Sequence, residues 1–165
     1  MDPVNDTGSF RLLFVCTGNT CRSPMAEVIA RHQITKLGWS EVDVGSAGVS
    51  AWDGSPPSVG AVRAAAANGL DLSGHSSTYL SQELVEKADL ILTMSASHVV
   101  RAQELGAGEK VALLPAFTDA QVDMDRVGGI PDPIGGSDEE YAGTFEVLYG
   151  LIELALMRIQ SLRKP

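Results

Sequence analysis

A cysteine and an arginine flank a short polar stretch of the chain, and a serine follows the arginine at once. The stretch is Cys16-Thr17-Gly18-Asn19-Thr20-Cys21-Arg22-Ser23. A loop of this length can curl so that successive backbone N–H groups point inward and form a nest for an anion. Gly18 and Asn19 are residue types that tolerate the unusual backbone angles such a curl needs. The spacing therefore predicts a site for a tetrahedral oxyanion.

The side chains of this loop suit nucleophilic chemistry on a bound phosphoryl group. Inward-facing N–H groups favour a thiolate at Cys16, and the thiolate is the reactive form of cysteine. Arg22 could bind two phosphoryl oxygens as a fork and stabilise the charge of the transition state. The Ser23 hydroxyl could donate to the thiolate. The alternative is a structural cysteine beside an arginine paired with surface carboxylates.

Transfer of a phosphoryl group from an ester also requires a general acid for the leaving group. Asp132 lies between Pro131 and Pro133, which stiffen the backbone that presents its carboxyl group. Taken alone, Asp132 is more typical of a turn. Its rivals on composition are Asp119, Asp123 and Asp125.

A strand and a helix must position this loop. The apolar run at residues 12–15 predicts a strand buried on both faces. After the loop, Ser23 is a candidate N-cap and Pro24 a candidate first helical residue. The helix is expected to run to about Leu37, with Gly38 as its stop.

Strands and helices alternate along the rest of the chain. Further strands are predicted at residues 42–44, 90–92 and 111–114. Further helices are predicted at residues 59–68, from the Ser81 cap to 87, at 95–105, and at 138–158 after a capping box that begins at Ser137. Residues 45–57 and 115–137 are predicted as loops. This alternation favours an α/β three-layer sandwich with a central four-stranded parallel sheet, whose ligand lies beyond the carboxyl ends of the strands.

Composition limits the classes of function. The chain has 165 residues, 44% hydrophobic and 20% charged, and a net charge of −9. We expect a disordered lead-in at residues 1–9 and a single domain at 10–165. The acidic balance argues against nucleic acid and anionic membranes as partners, and no His/Cys cluster has metal-ligand spacing. We expect a cytoplasmic monomer without a cofactor, in which His32 and His98 are solvated or packed.

The segment Leu12 to Glu27, L-L-F-V-C-T-G-N-T-C-R-S-P-M-A-E, strongly resembles the phosphate loop of low-molecular-weight protein tyrosine phosphatases. The resemblance covers most of the chain. It extends to Ser46-Ala47-Gly48, to Trp52 and His75, to the run from Ala88 to Met94, and to Asp132-Pro133. It implies a flavodoxin-like fold of the phosphotyrosine protein phosphatase I type.

The resemblance implies a role for each matching residue. Cys16 would attack phosphorus and form a cysteinyl-phosphate, and Asp132 would act as general acid and then as general base. The loop from Thr17 to Ser23, with Arg22, would bind the phosphoryl group. Asn19, Ser23, Ser46 and His75 would form the hydrogen-bond network that holds the loop. Cys21 resembles a second cysteine that traps oxidised Cys16 in a reversible disulfide; a passive packed thiol is the alternative.

The substrate pocket departs from the tyrosine-directed pattern. Thr20 replaces a branched aliphatic residue and resembles the bacterial protein arginine phosphatases of the same family, as does the run D-P-I-G-G-S that ends at Ser137. Ile134 matches neither branch, whereas Trp52 resembles the aromatic wall of the tyrosine-directed enzymes. Trp52 could also be a loop anchor.

Four functions compete on this basis. The first is hydrolysis of phosphotyrosine in proteins, with a phosphoprotein as partner and inorganic phosphate as product. The second is cleavage of the P–N bond of phosphoarginine. The third is a thioredoxin-coupled arsenate reductase, which is disfavoured because residues 70–94 contain no cysteine for the required relay. The fourth is phosphate binding without turnover, which is disfavoured because both Cys16 and Asp132 are present.

Overall fold

Four parallel strands form the sheet at the centre of the molecule. The computed structural model describes residues 9–118 and 129–163. The strands are β1 (Phe10–Cys16), β2 (Val42–Gly48), β3 (Leu90–Thr93) and β4 (Val111–Leu113), in the order β2-β1-β3-β4. The predicted α/β class and the four-stranded parallel sheet are confirmed.

Helices follow the strands and cover both faces of the sheet. In the described ranges they are α1 (Arg22–Leu37), α2 (Val59–Ala67), α3 (Gln82–Lys87), α4 (Ala96–Glu104), α5 (Leu114–Thr118) and α6 (Asp138–Arg163), together with a 3₁₀ turn at Gly108–Lys110. The expected three-layer arrangement results, because alternate residues of the central strand face different layers. Leu12 and Phe14 of β1 belong to the core shared with α1 and α6, whereas Leu13 and Val15 belong to the core shared with α3 and α4.

The order of the strands creates a crevice between β1 and β3. The chain leaves β1 towards β2 on one side and leaves β3 towards β4 on the other. In doubly wound sheets of this kind, ligands bind where the strand order reverses, outside the carboxyl ends of the strands. Cys16 ends β1 at this edge, and Met94 follows β3 there, its N–H donating to Val15 O at 3.0 Å.

The start of α1 differs from the prediction. The helix begins at Arg22 with Cys21 as its N-cap residue, and no side chain caps it. The expected N-cap at Ser23 and first helical position at Pro24 are therefore wrong. The Ser23 hydroxyl does not cap the helix because it bonds to Cys16 and Asn19 instead.

Two segments predicted as loops contain regular structure. Strand β2 continues to Gly48, which pairs with Cys16 in register, whereas the sequence predicted a loop from residue 45. A Cβ at Gly48 would lie 2.5 Å from Thr17 O, so only glycine allows this approach of β2 to the loop. Helix α5 forms at the start of the predicted connection 115–137. Of the predicted lead-in at 1–9, all but Ser9 lies outside the described residues.

Candidate active site

The loop after β1 curls around the sulfur of Cys16. Cys16 is 3% exposed, and the N–H of Asn19 points at its Sγ at 3.3 Å. Asn19 has a φ of +55°, the left-handed conformation that asparagine tolerates better than most residues. The curl predicted for this loop therefore turns at Asn19 and not at Gly18, and it directs a backbone donor at the sulfur.

Ser23 also serves the sulfur. Its Oγ lies 2.8 Å from Cys16 Sγ and accepts a hydrogen bond from Asn19 Nδ2, also at 2.8 Å. The hydroxyl has one hydrogen, and its other neighbour, Ala47 O, is at 3.5 Å. The shorter contact to sulfur is therefore the direction in which the hydroxyl can donate when the sulfur is negatively charged.

Asn19 joins the loop to two neighbouring segments, strand β2 and the stretch that contains His75 and Thr78. Its Nδ2 donates to Ser46 Oγ at 2.9 Å, its Oδ1 accepts from the N–H of Thr78 at 2.8 Å, and its backbone O lies 2.8 Å from His75 Nε2. Ser46 in turn donates to Glu27 Oε1 at 2.6 Å. The structure thus brings the four residues Asn19, Ser23, Ser46 and His75 together. Sequence reasoning missed Glu27, whose signal was its place on the first turns of α1 facing β2.

Arg22 is held below the loop by three acceptors. Its Nη1 donates to Ile130 O at 2.9 Å, and its Nη2 lies 3.3 Å from Thr17 Oγ1 and 3.5 Å from Asp132 Oδ2. The residue is 5% exposed. Within the described part of the chain, its Nε is the buried side-chain nitrogen that has no hydrogen-bond partner. A buried donor without an acceptor is costly, so this N–H together with the loosely held Nη2 fits a ligand oxyanion.

The loop that carries Asp132 is attached to the end of β3. Ile130 N donates to Met94 O at 2.7 Å, and Gly129 forms an isolated bridge with Ser95. Asp132 itself is exposed, with one carboxylate oxygen near Arg22 and the other accepting from the N–H of Ile134 at 3.1 Å. The carboxyl group and the guanidinium thus share one hollow. The rivals Asp119, Asp123 and Asp125 lie outside the described residues.

His98 enters the same hollow from the first turn of α4. It is 2% exposed, and its Nε2 lies 2.9 Å from Thr17 Oγ1. Burial and the nearby charge of Arg22 lower the pKa of His98 to about 4, although Asp132 opposes the shift. The expectation of a packed histidine is met in burial, but its contact with the loop was missed. The signal was its position just after β3, whose carboxyl end adjoins that of β1.

Trp52 and Ile134 stand on two loops that border the hollow. Ser50 N donates to Thr17 O at 2.9 Å, so the segment leading to Trp52 runs along the loop. The side chains of Trp52 and Ile134 are 83% and 64% exposed. They are therefore available to a ligand and are not part of the core.

Thr20 and Cys21 lie on the side of the loop that faces α2. The Thr20 hydroxyl contacts Cys21 Sγ at 3.8 Å, which is a weak interaction. Cys21 Sγ also lies 3.3 Å from Ser58 Oγ and 3.5 Å from the hydroxyl of Tyr141. Both cysteines are free thiols.

The described residues contain neither a metal-binding cluster nor a membrane-spanning helix. Residues 9–118 and 129–163 contain no group of three or more His, Cys, Asp or Glu side chains that could hold a metal ion. No helix within those ranges combines the length and apolar character needed to cross a membrane.

Comparison with protein families matches residues 11–164 to the low molecular weight phosphotyrosine protein phosphatase family. The chain belongs to this family. Its members are phosphoric monoester hydrolases, and this chain is one of them. The resemblance drawn from Leu12 to Glu27 and from Asp132-Pro133 is thereby confirmed for the chain as a whole.

Relatives from both branches of the family match at similar levels. A low molecular weight protein-tyrosine-phosphatase of Streptomyces coelicolor is 33% identical over 148 residues, covering 85% of this chain and 87% of the relative. A protein-arginine-phosphatase of Geobacillus stearothermophilus is 35% identical over 156 residues, covering 92% and 97%. Among solved structures, a cysteine-to-serine mutant of the YwlE arginine phosphatase with a phosphorylated active-site serine is 34% identical. It superposes with a TM-score of 0.85 and covers 93% of this chain and 98% of its own.

Proposed function

We propose that the chain hydrolyses phosphotyrosine in proteins through a cysteinyl-phosphate intermediate. The observation that carries the proposal is the unpaired Nε–H of buried Arg22, beside a loop that directs the backbone N–H of Asn19 at the sulfur of Cys16. Nε and Nη2 form one edge of the guanidinium, and two phosphoryl oxygens fit that edge as a bidentate pair. The backbone of Thr17 to Ser23 supplies further donors for the third oxygen.

The first chemical step breaks the bond between phosphorus and the tyrosine oxygen. The Cys16 thiolate attacks phosphorus from the side opposite the leaving group and forms the P–S bond. Asp132, in its protonated form, gives its proton to the departing oxygen, so tyrosine leaves neutral. Arg22 and the loop N–H groups stabilise the charge that builds up on the equatorial oxygens.

The second step releases the enzyme. Asp132, now a carboxylate, takes a proton from a water molecule whose oxygen attacks phosphorus. The P–S bond breaks, the electron pair returns to sulfur, and inorganic phosphate is the product. Ser23, 2.8 Å from the sulfur, donates to the thiolate as it leaves.

Two exposed apolar side chains at the borders of the hollow, Trp52 and Ile134, support tyrosine as the side chain that enters it. Trp52 is 83% exposed on a loop bonded to Thr17 O, and Ile134 is 64% exposed two residues after the acid. Exposed apolar side chains on both borders suit a flat aryl ring, which gains both burial and stacking from such neighbours.

Phosphoarginine is the second candidate, and Thr20 favours it. Among residues 9–118 and 129–163, the hydrogen-bonding contact of the Thr20 hydroxyl is the weak one with Cys21 Sγ, so its lone pairs can accept from a guanidinium N–H. An aliphatic residue could offer no acceptor there. The mechanism is otherwise the same, with the proton of Asp132 passing to the leaving nitrogen as the P–N bond breaks.

The setting of the reaction follows from its chemistry. A catalytic thiolate needs a reducing compartment, which supports the cytoplasm as the location.

We propose a monomer formed by one domain over residues 10–165, acting on phosphorylated proteins without a metal or cofactor. Cys21, which belongs to the same loop, is proposed as the thiol that pairs with Cys16 on oxidation.

The test is turnover of matched phosphotyrosine and phosphoarginine peptides, with Cys16→Ser as the blank. Preference for phosphotyrosine, abolished by Cys16→Ser and weakened by Trp52→Ala, supports the first candidate. Preference for phosphoarginine that shifts towards phosphotyrosine by about tenfold or more in Thr20→Ile supports the second. Turnover of neither peptide, or activity that survives in Cys16→Ser, contradicts the mechanism.

A further inference from the structure

His98 lies between the start of α4 and the phosphate loop, where two elements of the crevice meet. Ser95, the N-cap residue of α4, donates its backbone N–H to His98 Nδ1 at 3.1 Å. A ring nitrogen that accepts a hydrogen bond carries no proton, so the hydrogen of the neutral imidazole is on Nε2. Nε2–H therefore donates to Thr17 Oγ1, 2.9 Å away.

The neutral state required by this assignment agrees with the surroundings of the ring. His98 is buried in the first turn of a helix, where the positive end of the helix dipole disfavours an imidazolium. Arg22 adds a positive charge nearby, and Asp132 is the acidic group that faces the ring. Burial and Arg22 outweigh Asp132, so the pKa of His98 falls to about 4.

Thr17 passes this contact on to Arg22. Its hydroxyl oxygen accepts from His98 Nε2–H and also from Arg22 Nη2–H at 3.3 Å, which occupies both of its lone pairs. Nη2 belongs to the edge of the guanidinium that includes the unpaired Nε. The position of the Thr17 hydroxyl therefore helps to set the direction in which that edge faces.

We propose that His98 is a positioning residue of this site. Through Thr17 it holds the free edge of the Arg22 guanidinium towards the phosphoryl group. The inference rests on the proposed function and deepens it, because it identifies a residue of α4 that supports phosphate binding without touching the phosphate. The competing explanation is that His98 only closes the capping box of α4 with Ser95.

Two variants of His98 separate these explanations. His98→Asn keeps an oxygen near the position of Nδ1, so it can still accept from Ser95, but it is too short to reach Thr17. His98→Gln places an amide N–H near the position of Nε2. We expect His98→Asn to bind inorganic phosphate about tenfold more weakly, the effect of one hydrogen bond in a charged network, with kcat/KM reduced in proportion. His98→Gln should recover much of both.

Variants of Thr17 provide an independent test of the proposal. Thr17 is exposed, so its side chain can be changed without disturbing the core. Thr17→Val should weaken phosphate binding about as much as His98→Asn, whereas Thr17→Ser retains the hydroxyl and should not. Adding His98→Asn to Thr17→Val should produce no further loss, since both changes remove the same link. Phosphate binding is measured by calorimetry, and unfolding midpoints are recorded for every variant.

Each other outcome decides against the proposal. Wild-type affinity for phosphate in folded His98→Asn, or in Thr17→Val, means that His98 serves only to cap α4. If adding His98→Asn to Thr17→Val weakens phosphate binding as much as His98→Asn does alone, Thr17 is not the link between His98 and Arg22. An unchanged protein that binds no phosphate overturns the proposal as well. An unchanged protein that binds phosphate but turns over neither peptide contradicts the proposed function alone, because the binding comparison still holds.

Discussion

At the scale of single residues, the sulfur of Cys16 has two donors with different duties. The N–H of Asn19 belongs to the backbone and remains in place whatever the state of the sulfur. The Ser23 hydroxyl can rotate, because Asn19 Nδ2 occupies a lone pair and its hydrogen can point either to the sulfur or to Ala47 O, 3.5 Å away. Ser23 is therefore suited to the proposed step in which negative charge returns to sulfur.

Replacement of Ser23 by alanine is expected to slow breakdown of the phosphoenzyme more than its formation. Loss of one donor to a developing charge typically reduces a rate by about 10²- to 10³-fold. With p-nitrophenyl phosphate, Ser23→Ala should release a burst of nitrophenolate equal to the enzyme concentration, followed by a slow phase. Ser76→Ala, at an exposed loop position, is the control. Slow release of nitrophenolate from the start, without a burst, would show that Ser23 acts in formation of the intermediate.

His98 should make stability depend on pH below neutrality. Its pKa in the folded protein is about 4, below the ordinary value of 6.5, so the unfolded chain binds the extra proton between these two values. The contribution of His98 to the free energy of unfolding is therefore fully present above about pH 6.5. It is lost as the pH falls towards 4, which lowers the free energy of unfolding by about 1–3 kcal/mol. Urea unfolding of the unchanged protein and of His98→Gln should give curves that differ in slope over this range. Equal slopes would mean that His98 contributes nothing.

At the scale of elements, three close approaches of backbone shape the site. Gly48 at the end of β2 allows the phosphate loop to pass, and a Cβ at Gly129 would lie 2.4 Å from Met94 O, at the point where the loop of Asp132 meets β3. Gly60 in α2 lies against the ring of Tyr141 at the start of α6. Each glycine lets two elements approach more closely than any side chain would allow.

Gly60→Ala is expected to destabilise the protein although alanine favours helix. Its Cβ would lie within the contact distance of the Tyr141 ring, a clash that typically costs about 1–3 kcal/mol. Gly143→Ala in α6 is the matched control, because a Cβ there meets nothing, and it should stabilise by about 0.5–1 kcal/mol. Chemical denaturation measures both. Equal effects of the two changes would show that Tyr141 yields easily.

At the scale of the whole molecule, the net negative charge of the chain repels the anionic group for which the site is proposed. The chain carries a net charge of −9, whereas the proposed site would bind an anion with the buried Arg22 and backbone N–H groups. The attraction is therefore short in range and the repulsion long in range. Approach of a substrate and its binding should respond differently to salt.

Phosphopeptides rich in Asp and Glu are expected to react more slowly at low ionic strength than neutral peptides with the same phosphorylated residue. Raising the salt concentration from about 20 to 200 mM shortens the screening length and should increase kcat/KM for the acidic peptide several-fold. The neutral peptide is the control and should change little. A rate for the acidic peptide that does not rise with salt would contradict long-range repulsion.

Contiguous sequence was sufficient for the centre of the site and for the fold class. The strand, the loop from Cys16 to Ser23 and the start of α1 are neighbours along the chain, so their residue types alone predict an oxyanion site. Alternation of strands and helices similarly predicted the four-stranded parallel sheet, because hydrophobic period and glycine stops act locally. The roles given to Cys16, Arg22 and Asp132 remain predictions that turnover must test.

Contacts between distant segments were decided only by the tertiary structure. His98 meets Thr17 across 81 residues, and Arg22 meets Ile130 O across 108, because the sheet order places β3 beside β1. The structure also showed that α1 begins at Arg22 and that the Ser23 hydroxyl contacts Cys16 instead of capping the helix. Local sequence determines the propensity of a segment to form a helix or a strand. Which strand ends become neighbours depends on how the whole chain buries its apolar faces, and this packing brings residues from distant segments to the site.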